Sequence, residues 1–219
     1  MKRKQVPGPS AAMPIVKSRR RVQDHAEVLT PSWVVNDMLD LVIDESERID
    51  SRILEPACGD GNFLVQVLAR KLATAKSRYG KITFEMRHQA LLALMSIYGI
   101  DIQADNAADC RGRLLFVFGE FLNLLPGDDF MGAARTVLEA NIVNGDALAM
   151  TIVSDSPESE KCPILFAEWG YLGRGRYQRR DFRFDALSGR SNVQAGEARH
   201  EVFQPVRTYP PMTVEELAR

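Results

Sequence analysis

Two hydrophobic patterns alternate along this chain. Apolar residues at helical spacing, as in Phe63–Leu64–Val67–Leu68, predict helices, and short unbroken apolar runs predict strands. Helices are predicted to begin at Thr30–Pro31, at Phe63, at Phe84 and at Asp105 or Asn106. Strands are predicted at Arg52 to Glu55, Tyr98 to Ile102, Asn141 to Leu148 with a turn, and Pro163 to Ala167. This alternation is typical of an α/β fold, with a mostly parallel sheet and helices on both faces.

The pattern is lost after Trp169. Basic, aromatic and glycine-rich residues follow to about Gly196, and only Thr213 to Arg219 predict another short helix. Pro, Ser and Lys dominate the first residues of the chain, where we expect disorder. The sequence therefore predicts a basic N-terminal tail at 1–22, a folded domain at 23–170 and a basic, aromatic extension at 171–219.

Composition is that of an ordinary globular domain. The chain has 219 residues, of which 45% are hydrophobic and 26% charged. No apolar run approaches the ~18 residues of a membrane helix, and no secretory signal precedes the domain. The three cysteines show no metal-ligand spacing. These features predict a cytoplasmic protein with reduced thiols, no metal and no membrane partner.

Charge is balanced overall but unevenly placed. The net charge is −1, yet every charged residue before Asp24 is basic. A second basic cluster carries aromatic residues within it and comprises Arg174, Arg176, Arg179, Arg180 and Arg183. Such clusters can neutralise phosphates, so we predict that this one contacts nucleic acid through Arg174, Arg176, Arg179 and Arg180. The alternative is a solvated tail and a solvated loop.

The run from Leu54 to Leu64 is the strongest local signal. It predicts a buried strand that ends in an acid, a tight turn with two glycines, and a helix that starts at once. At the carboxyl end of a parallel strand, such a turn is where α/β sheets bind nucleotide-like ligands. The run resembles the cofactor loop Asp/Glu-Pro-Ala-Cys-Gly-x-Gly-x-Phe-Leu of S-adenosylmethionine (SAM)-dependent adenine-N6 DNA methyltransferases of restriction–modification systems.

Three further segments resemble the same family, in the family's order. They are His25–Pro31, where Ala26 and Leu29 replace the common Gly and Phe, then Gly99–Ile102 and Asn144–Leu148. The resemblance implies a Rossmann-like class I methyltransferase fold that binds SAM. Its implied cofactor residues are Glu27, Thr30, Pro31, Glu55, Pro56, Ala57, Cys58, Gly59, Gly61, Asn62, Phe63, Asp101, Ile102, Asp146 and Ala147.

Each implied role has a structural alternative. Glu55 would hold the cofactor's ammonium, Asp101 the ribose hydroxyls and Asp146 the adenine amino group. Glu27, Thr30 and Pro31 would pack over the methionine end. Alternatively, Thr30 only caps a helix, Asp101 caps the helix after it, and Asn144–Gly145–Asp146 is a turn.

The family's Asn-Pro-Pro-Tyr-type tetrapeptide is absent. At the end of the predicted fourth strand stand Glu168 and Trp169 instead. In one interpretation both are catalytic, Trp169 stacking on an extruded base and Glu168 accepting from its amine. In another, the pocket is degenerate and transfer is absent or needs a partner subunit. Trp169 is, in a third, simply a core residue.

We therefore expect a compact SAM-dependent DNA methyltransferase that transfers a methyl group to an adenine amino group. The implied partners are DNA and a separate specificity or catalytic subunit. A catalytically silent SAM- or DNA-binding subunit is the main alternative. A small-molecule or protein methyltransferase is a weaker one.

Overall fold

The computed structural model describes residues 30–153, 162–187 and 204–219. In these ranges the helices are α1 (Ser32–Asp40), α2 (Ile43–Glu47), α3 (Asn62–Tyr79), α4 (Thr83–Met95), α5 (Ala104–Leu122), α6 (Asp129–Asn141), α7 (Phe184–Leu187) and α8 (Val214–Leu217). The strands are β1 (Ile53–Glu55), β2 (Ile97–Asp101), β3 (Ile142–Asp146), β4 (Thr151–Ile152), β5 (Leu165–Gly173), β6 (Arg176–Arg183) and β7 (Arg207–Thr208). No helix in these ranges combines the length and the apolar character needed to cross a bilayer.

The first sheet is mostly parallel. Its strand order is β1-β2-β3-β4, with β1, β2 and β3 parallel and the short β4 antiparallel to β3. Leu54 pairs with Tyr98 and Gly99 with Ile142, which fixes the register. An α/β fold with a mostly parallel sheet is thus confirmed. The predicted helices after the glycine turn and before β2 each begin within one residue of their expected starts, Phe63 and Phe84.

Different layers cover the two faces of β2. On one face Gly99 has no side chain, and a Cβ there would lie 3.0 Å from both Cys58 Sγ and Leu64 Cδ1, so α3 and the glycine turn approach closely. Tyr98 and Ile100 point to the opposite face, where they pack in one cluster with Ile164 and Phe166. At that point β5 and the residue before it, rather than a helix, cover the sheet.

A second, antiparallel sheet corrects the expectation for the later part of the chain. Its strand order is β5-β6-β7, so the run from Pro163 is not a fourth strand of the parallel sheet. Regular secondary structure also continues past Trp169, where the sequence pattern was lost, because β5 extends to Gly173 and turns back into β6. Gly173, Arg174 and Gly175 make this turn with φ of 80°, 53° and 73°.

The direction of β5 decides where its residues lie. Ile164, just before β5, packs with Ile100 near the carboxyl end of β2. Further along, Glu168 pairs with Arg52, directly before β1, and the Trp169 indole N–H donates to Asn141, directly before β3, at 3.0 Å. The strand therefore runs from the carboxyl ends of the parallel strands towards their amino ends.

Lys71 of α3 holds the amino ends of β1 and β2 in place. Its side chain is fully buried, and its ammonium donates to the carbonyls of Arg48 at 2.8 Å, Ile49 at 3.3 Å and Ser51, and to Ser96 Oγ at 2.9 Å. Burial lowers the pKa of Lys71 to about 8. Four oxygen partners satisfy a cation that the interior otherwise disfavours.

Candidate functional site

Three parallel strands end in carboxylates at one edge of the sheet. β1 ends at Glu55, β2 at Asp101 and β3 at Asp146. Parallel neighbours share a direction, so these three residues lie at the same carboxyl edge, where open α/β sheets bind ligands. The three acids therefore lie at one edge, as the sequence analysis expected, and their role in a single binding site stays a prediction. Glu27, predicted to join them, lies outside the described residues.

The turn after β1 depends on two glycines with left-handed backbone. Gly59 has φ of 53° and Gly61 has φ of 88°. A Cβ on Gly61 would lie 2.8 Å from Cys110 Sγ, so α5 approaches too closely for a side chain. The Cys58 N–H donates to the Ile100 carbonyl at 2.9 Å, which ties the turn to β2. Geometry thus requires glycine at Gly61, and the left-handed backbone favours it at Gly59.

Asp101 clamps this turn. Its Oδ2 accepts the Gly59 N–H at 2.8 Å, and its Oδ1 accepts the Gln103 N–H at 2.8 Å and the Asn106 amide at 3.3 Å. A carboxylate offers about four acceptor positions. The described residues use three of them and leave one, on Oδ2. Asp101 is 8% exposed. It can accept one more hydrogen bond as it stands, and a second only if the Gly59 contact is released.

Glu55 and the start of α3 complete the turn. Burial raises the pKa of the Glu55 carboxyl, and the Ala57 N–H partly offsets the effect. α3 has 18 residues and starts after Gly61 with no side-chain cap, so the N–H groups of its first turn have no side-chain acceptor there. Such amides favour an anionic or carbonyl group of a ligand.

Arg113 of α5 was not foreseen in the sequence and braces the turn from below. It forms an ion pair with the Asp60 carboxylate at 2.8 Å and donates to the Asp60 carbonyl at 3.2 Å and to Asn62 Oδ1 at 3.2 Å. The Asn62 side chain in turn donates to the Thr30 carbonyl. Thr30, followed directly by Pro31, therefore lies beside the glycine turn, and the packing of these residues over a methionine end stays a prediction.

The end of β3 has turn chemistry of its own. Asp146 Oδ1 accepts the N–H groups of Leu148 at 2.8 Å and Ala149 at 2.9 Å, as the turn alternative predicted. Asn144, also not foreseen as a site residue, donates to the carbonyls of Asp101 and Ile102 at 3.0 Å each. It thereby joins the ends of β2 and β3. The sequence signal for Asn144 was its polar side chain two positions before Asp146, the acid that ends β3.

Exposed apolar side chains stand beside the acids. Ile102 is 56% exposed and Leu148 83% exposed. Asp101 lies directly before Ile102, and Asp146 and Ala147 lie directly before Leu148. An edge with hydrogen-bonding carboxylates and adjacent apolar side chains suits a flat, polar-edged ring such as a nucleoside base.

Two thiols meet at the turn, with Cys58 inside it and Cys110 on α5. Cys58 and Cys110 are both buried and free. A hydrogen bond with Cys110 and burial raise the pKa of the Cys58 thiol far above its ordinary value. Cys58 is therefore a packing residue with an unreactive thiol while the turn is closed.

Glu168 and Trp169, predicted to be catalytic, lie at the other edge. Trp169 is 6% exposed and packs in the main core, with its indole N–H bonded to Asn141. Glu168 lies between Arg52 and Arg180 and forms ion pairs with both. Because β5 runs towards the amino ends, neither residue is brought to the glycine turn. The placement of Trp169 matches the alternative that it is a core residue.

The four arginines predicted to contact nucleic acid divide into two pairs. Arg179 forms a two-point ion pair with Asp181, at 2.6 and 3.1 Å, and stacks over Trp169 and Tyr209. Arg180 pairs with Glu168. Arg174 and Arg176 are exposed at the β5–β6 turn. Arg180 is exposed as well, but of the four only the turn pair forms no ion pair with the described residues, so its charge is the more available to a phosphate.

The chain matches no family model, no curated protein and no solved structure.

Proposed function

We propose that the carboxyl edge of the parallel sheet binds SAM and that the chain acts in SAM-dependent DNA methylation. The observation that carries the proposal is the convergence of Glu55, Asp101 and Asp146 around a two-glycine turn with the uncapped start of α3. The resemblance of the sequence around these residues to adenine-N6 DNA methyltransferases supports SAM over other nucleoside cofactors.

The chain's own residues would do three things to the cofactor. The carboxylate of Glu55 attracts the ammonium of the methionine part, and the free acceptor position of Asp101 takes a ribose hydroxyl. Ile102 and Leu148 offer apolar contact to the adenine ring. SAM itself supplies an activated methyl group on a sulfonium, so positioning is the protein's main contribution.

Calorimetric titration with SAM tests the cofactor. The intact protein should bind, and Asp101→Asn should weaken binding roughly tenfold or more, since a charge-assisted hydrogen bond is worth about 1.5–3 kcal/mol. Asp129→Asn makes the same chemical change at an exposed position at the start of α6 and should leave the affinity unchanged. Absence of binding by the intact, folded protein would end the proposal.

A second candidate is a SAM-binding subunit whose acceptor side comes from another polypeptide. The position of Glu168 and Trp169 favours it, because both lie at the amino ends of the strands, away from the glycine turn. In this version the chain holds the donor, and a partner holds the extruded adenine.

Labelled methyl transfer to DNA separates the two candidates. Transfer by the purified chain supports a self-sufficient enzyme, and transfer only with proteins encoded beside it supports the subunit. If SAM binds but no label reaches DNA in either case, the role in DNA methylation is wrong and only cofactor binding stands.

A further inference from the structure

A cavity of about 500 Å³ lies between the two sheets, beside β1. β1 is the last strand of the parallel sheet on this side within the described residues, so the cavity lies at its free edge. Its volume falls within the roughly 300–1,000 Å³ of small-molecule sites. None of the carboxylates of the proposed SAM site lines it.

Its walls come from cross-strand pairs that face each other. Leu54 of β1 and Tyr98 of β2 are register partners and so share one face of the parallel sheet. Phe166 of β5 and Phe182 of β6 are register partners on the hairpin. Phe184 adds a ring at 5.2 Å, edge-on to Phe166. Aromatic walls of this kind favour a flat apolar body.

The polar groups of the cavity are concentrated in one ion triad. Tyr98 uses its hydroxyl inside the protein, donating to the Ala167 carbonyl at 2.7 Å. Arg52 and Arg180 share the single carboxylate of Glu168. Two guanidinium groups against one carboxylate leave a local charge of about +1, with N–H donors to spare.

We propose that this cavity binds an aromatic carboxylate. The ring would lie among Leu54, Phe166 and Phe182, and the carboxylate would accept hydrogen bonds from Arg52 and Arg180. Arginine forks match a carboxylate in two-point geometry, which gives both charge and orientation. The side chains of Arg52 and Arg180 are 60% and 48% exposed, so a ligand can reach them.

Calorimetry or fluorescence titration with 2-naphthoate tests the site, with 2-naphthamide as an uncharged probe of the same shape. Naphthoate should bind saturably and more tightly than the amide, and high salt should reduce that difference. Arg180→Gln should weaken naphthoate about tenfold, the loss of one charge-assisted hydrogen bond, and leave the amide unchanged. The Phe182→Ala change should weaken both probes.

Arg183→Gln is the matched control. Arg183 lies on the same strand, is 49% exposed and is ion-paired with Asp185, but pairs across the hairpin with Leu165 and so points to the other face. The Arg183→Gln variant should leave the affinities for naphthoate and the amide unchanged, as should Asp101→Asn at the carboxyl edge.

Equal affinity for the two probes, or no saturable binding of naphthoate, would overturn the proposal without any variant. Loss of naphthoate binding in the Asp101 variant would locate the probe at the carboxyl edge and would overturn it as well. These outcomes do not depend on whether SAM binds, so this proposal and the proposed function can fail separately.

Discussion

Methionine has a side chain of nearly the same length as lysine but no charge. Lys71→Met therefore removes the buried cation and tests how the amino ends of β1 and β2 are held. Two effects oppose each other. The charge is unfavourable, because lowering the pKa from 10.5 to about 8 corresponds to about 3 kcal/mol at about 1.4 kcal/mol per pKa unit. The lost donor is also costly, because the Ser51 carbonyl loses its partner, whereas the Arg48 carbonyl keeps the Ser51 N–H at 3.2 Å and the Ile49 carbonyl keeps the Ser96 hydroxyl at 3.0 Å.

The two effects nearly cancel at pH 7. One carbonyl left without a partner costs about 1–3 kcal/mol, and the relieved charge returns about 3 kcal/mol. The free energy of unfolding at pH 7 should therefore change by no more than about 2 kcal/mol. For a chain of this size the melting temperature should shift by no more than roughly 8 °C. Lys76→Met, at an exposed position of the same helix, should change stability by no more than about 0.5 kcal/mol.

The pH dependence of the free energy of unfolding gives a second test of the buried charge on Lys71. Between pH 8 and pH 10.5 the folded protein has lost the Lys71 proton while the unfolded chain keeps it, so the unfolded state binds more protons. Wild-type stability then rises with pH relative to Lys71→Met, by up to about 3 kcal/mol across this window. Urea unfolding of both proteins from pH 7 to pH 10 measures the gap. A loss of more than about 2 kcal/mol in Lys71→Met at pH 7, or a wild-type stability that does not rise relative to the variant above pH 8, would refute this account of Lys71.

Three other predictions concern the turn, the core and the hairpin. Gly61→Ala should lower the melting temperature and weaken SAM binding, because its φ of 88° and a sulfur 2.8 Å from the new methyl group leave no room. Gly112→Ala meets nothing within 4 Å and should stabilise the protein by up to about 1 kcal/mol. A Gly61→Ala protein more stable than Gly112→Ala would contradict the geometry. Trp169→Phe should cost about 1–3 kcal/mol in urea unfolding through its lost hydrogen bond, while SAM binding stays unchanged; weaker SAM binding at undiminished stability would connect Trp169 to the site. Replacing Arg174 and Arg176 by Gln should lower the salt dependence of DNA retention by roughly one phosphate contact per arginine, and an unchanged dependence would exclude this turn from the interface.

The parts of the fold that follow from local rules were predictable. The strand, glycine turn and helix around Gly61 are encoded within a dozen residues, so β1 and α3 appear close to their expected bounds. The acids at the ends of β2 and β3 lie beside them because parallel strands end at a common edge.

The direction of β5 was not predictable in the same way. An apolar run such as Ile164–Ala167 predicts a strand but says nothing of which neighbour it will pair with or in which sense. The hairpin was hidden because Arg179 and Asp181 occupy inward positions of β6 and neutralise each other there, so the alternation of apolar and polar residues disappears. The helix α6 was missed in the sequence, although Asp128 accepts the Phe130 N–H as its N-cap.

The two buried thiols at the glycine turn make opening of the turn measurable by chemical modification. Cys58 and Cys110 are buried while the turn is closed, whereas Cys162 is exposed. An alkylating reagent in solution therefore meets one thiol at once and the other two only when the turn lifts away from α5. The rate at which the buried pair is modified, relative to Cys162, measures how often the turn opens. Any ligand that holds the turn closed would slow that rate, whatever its chemical identity.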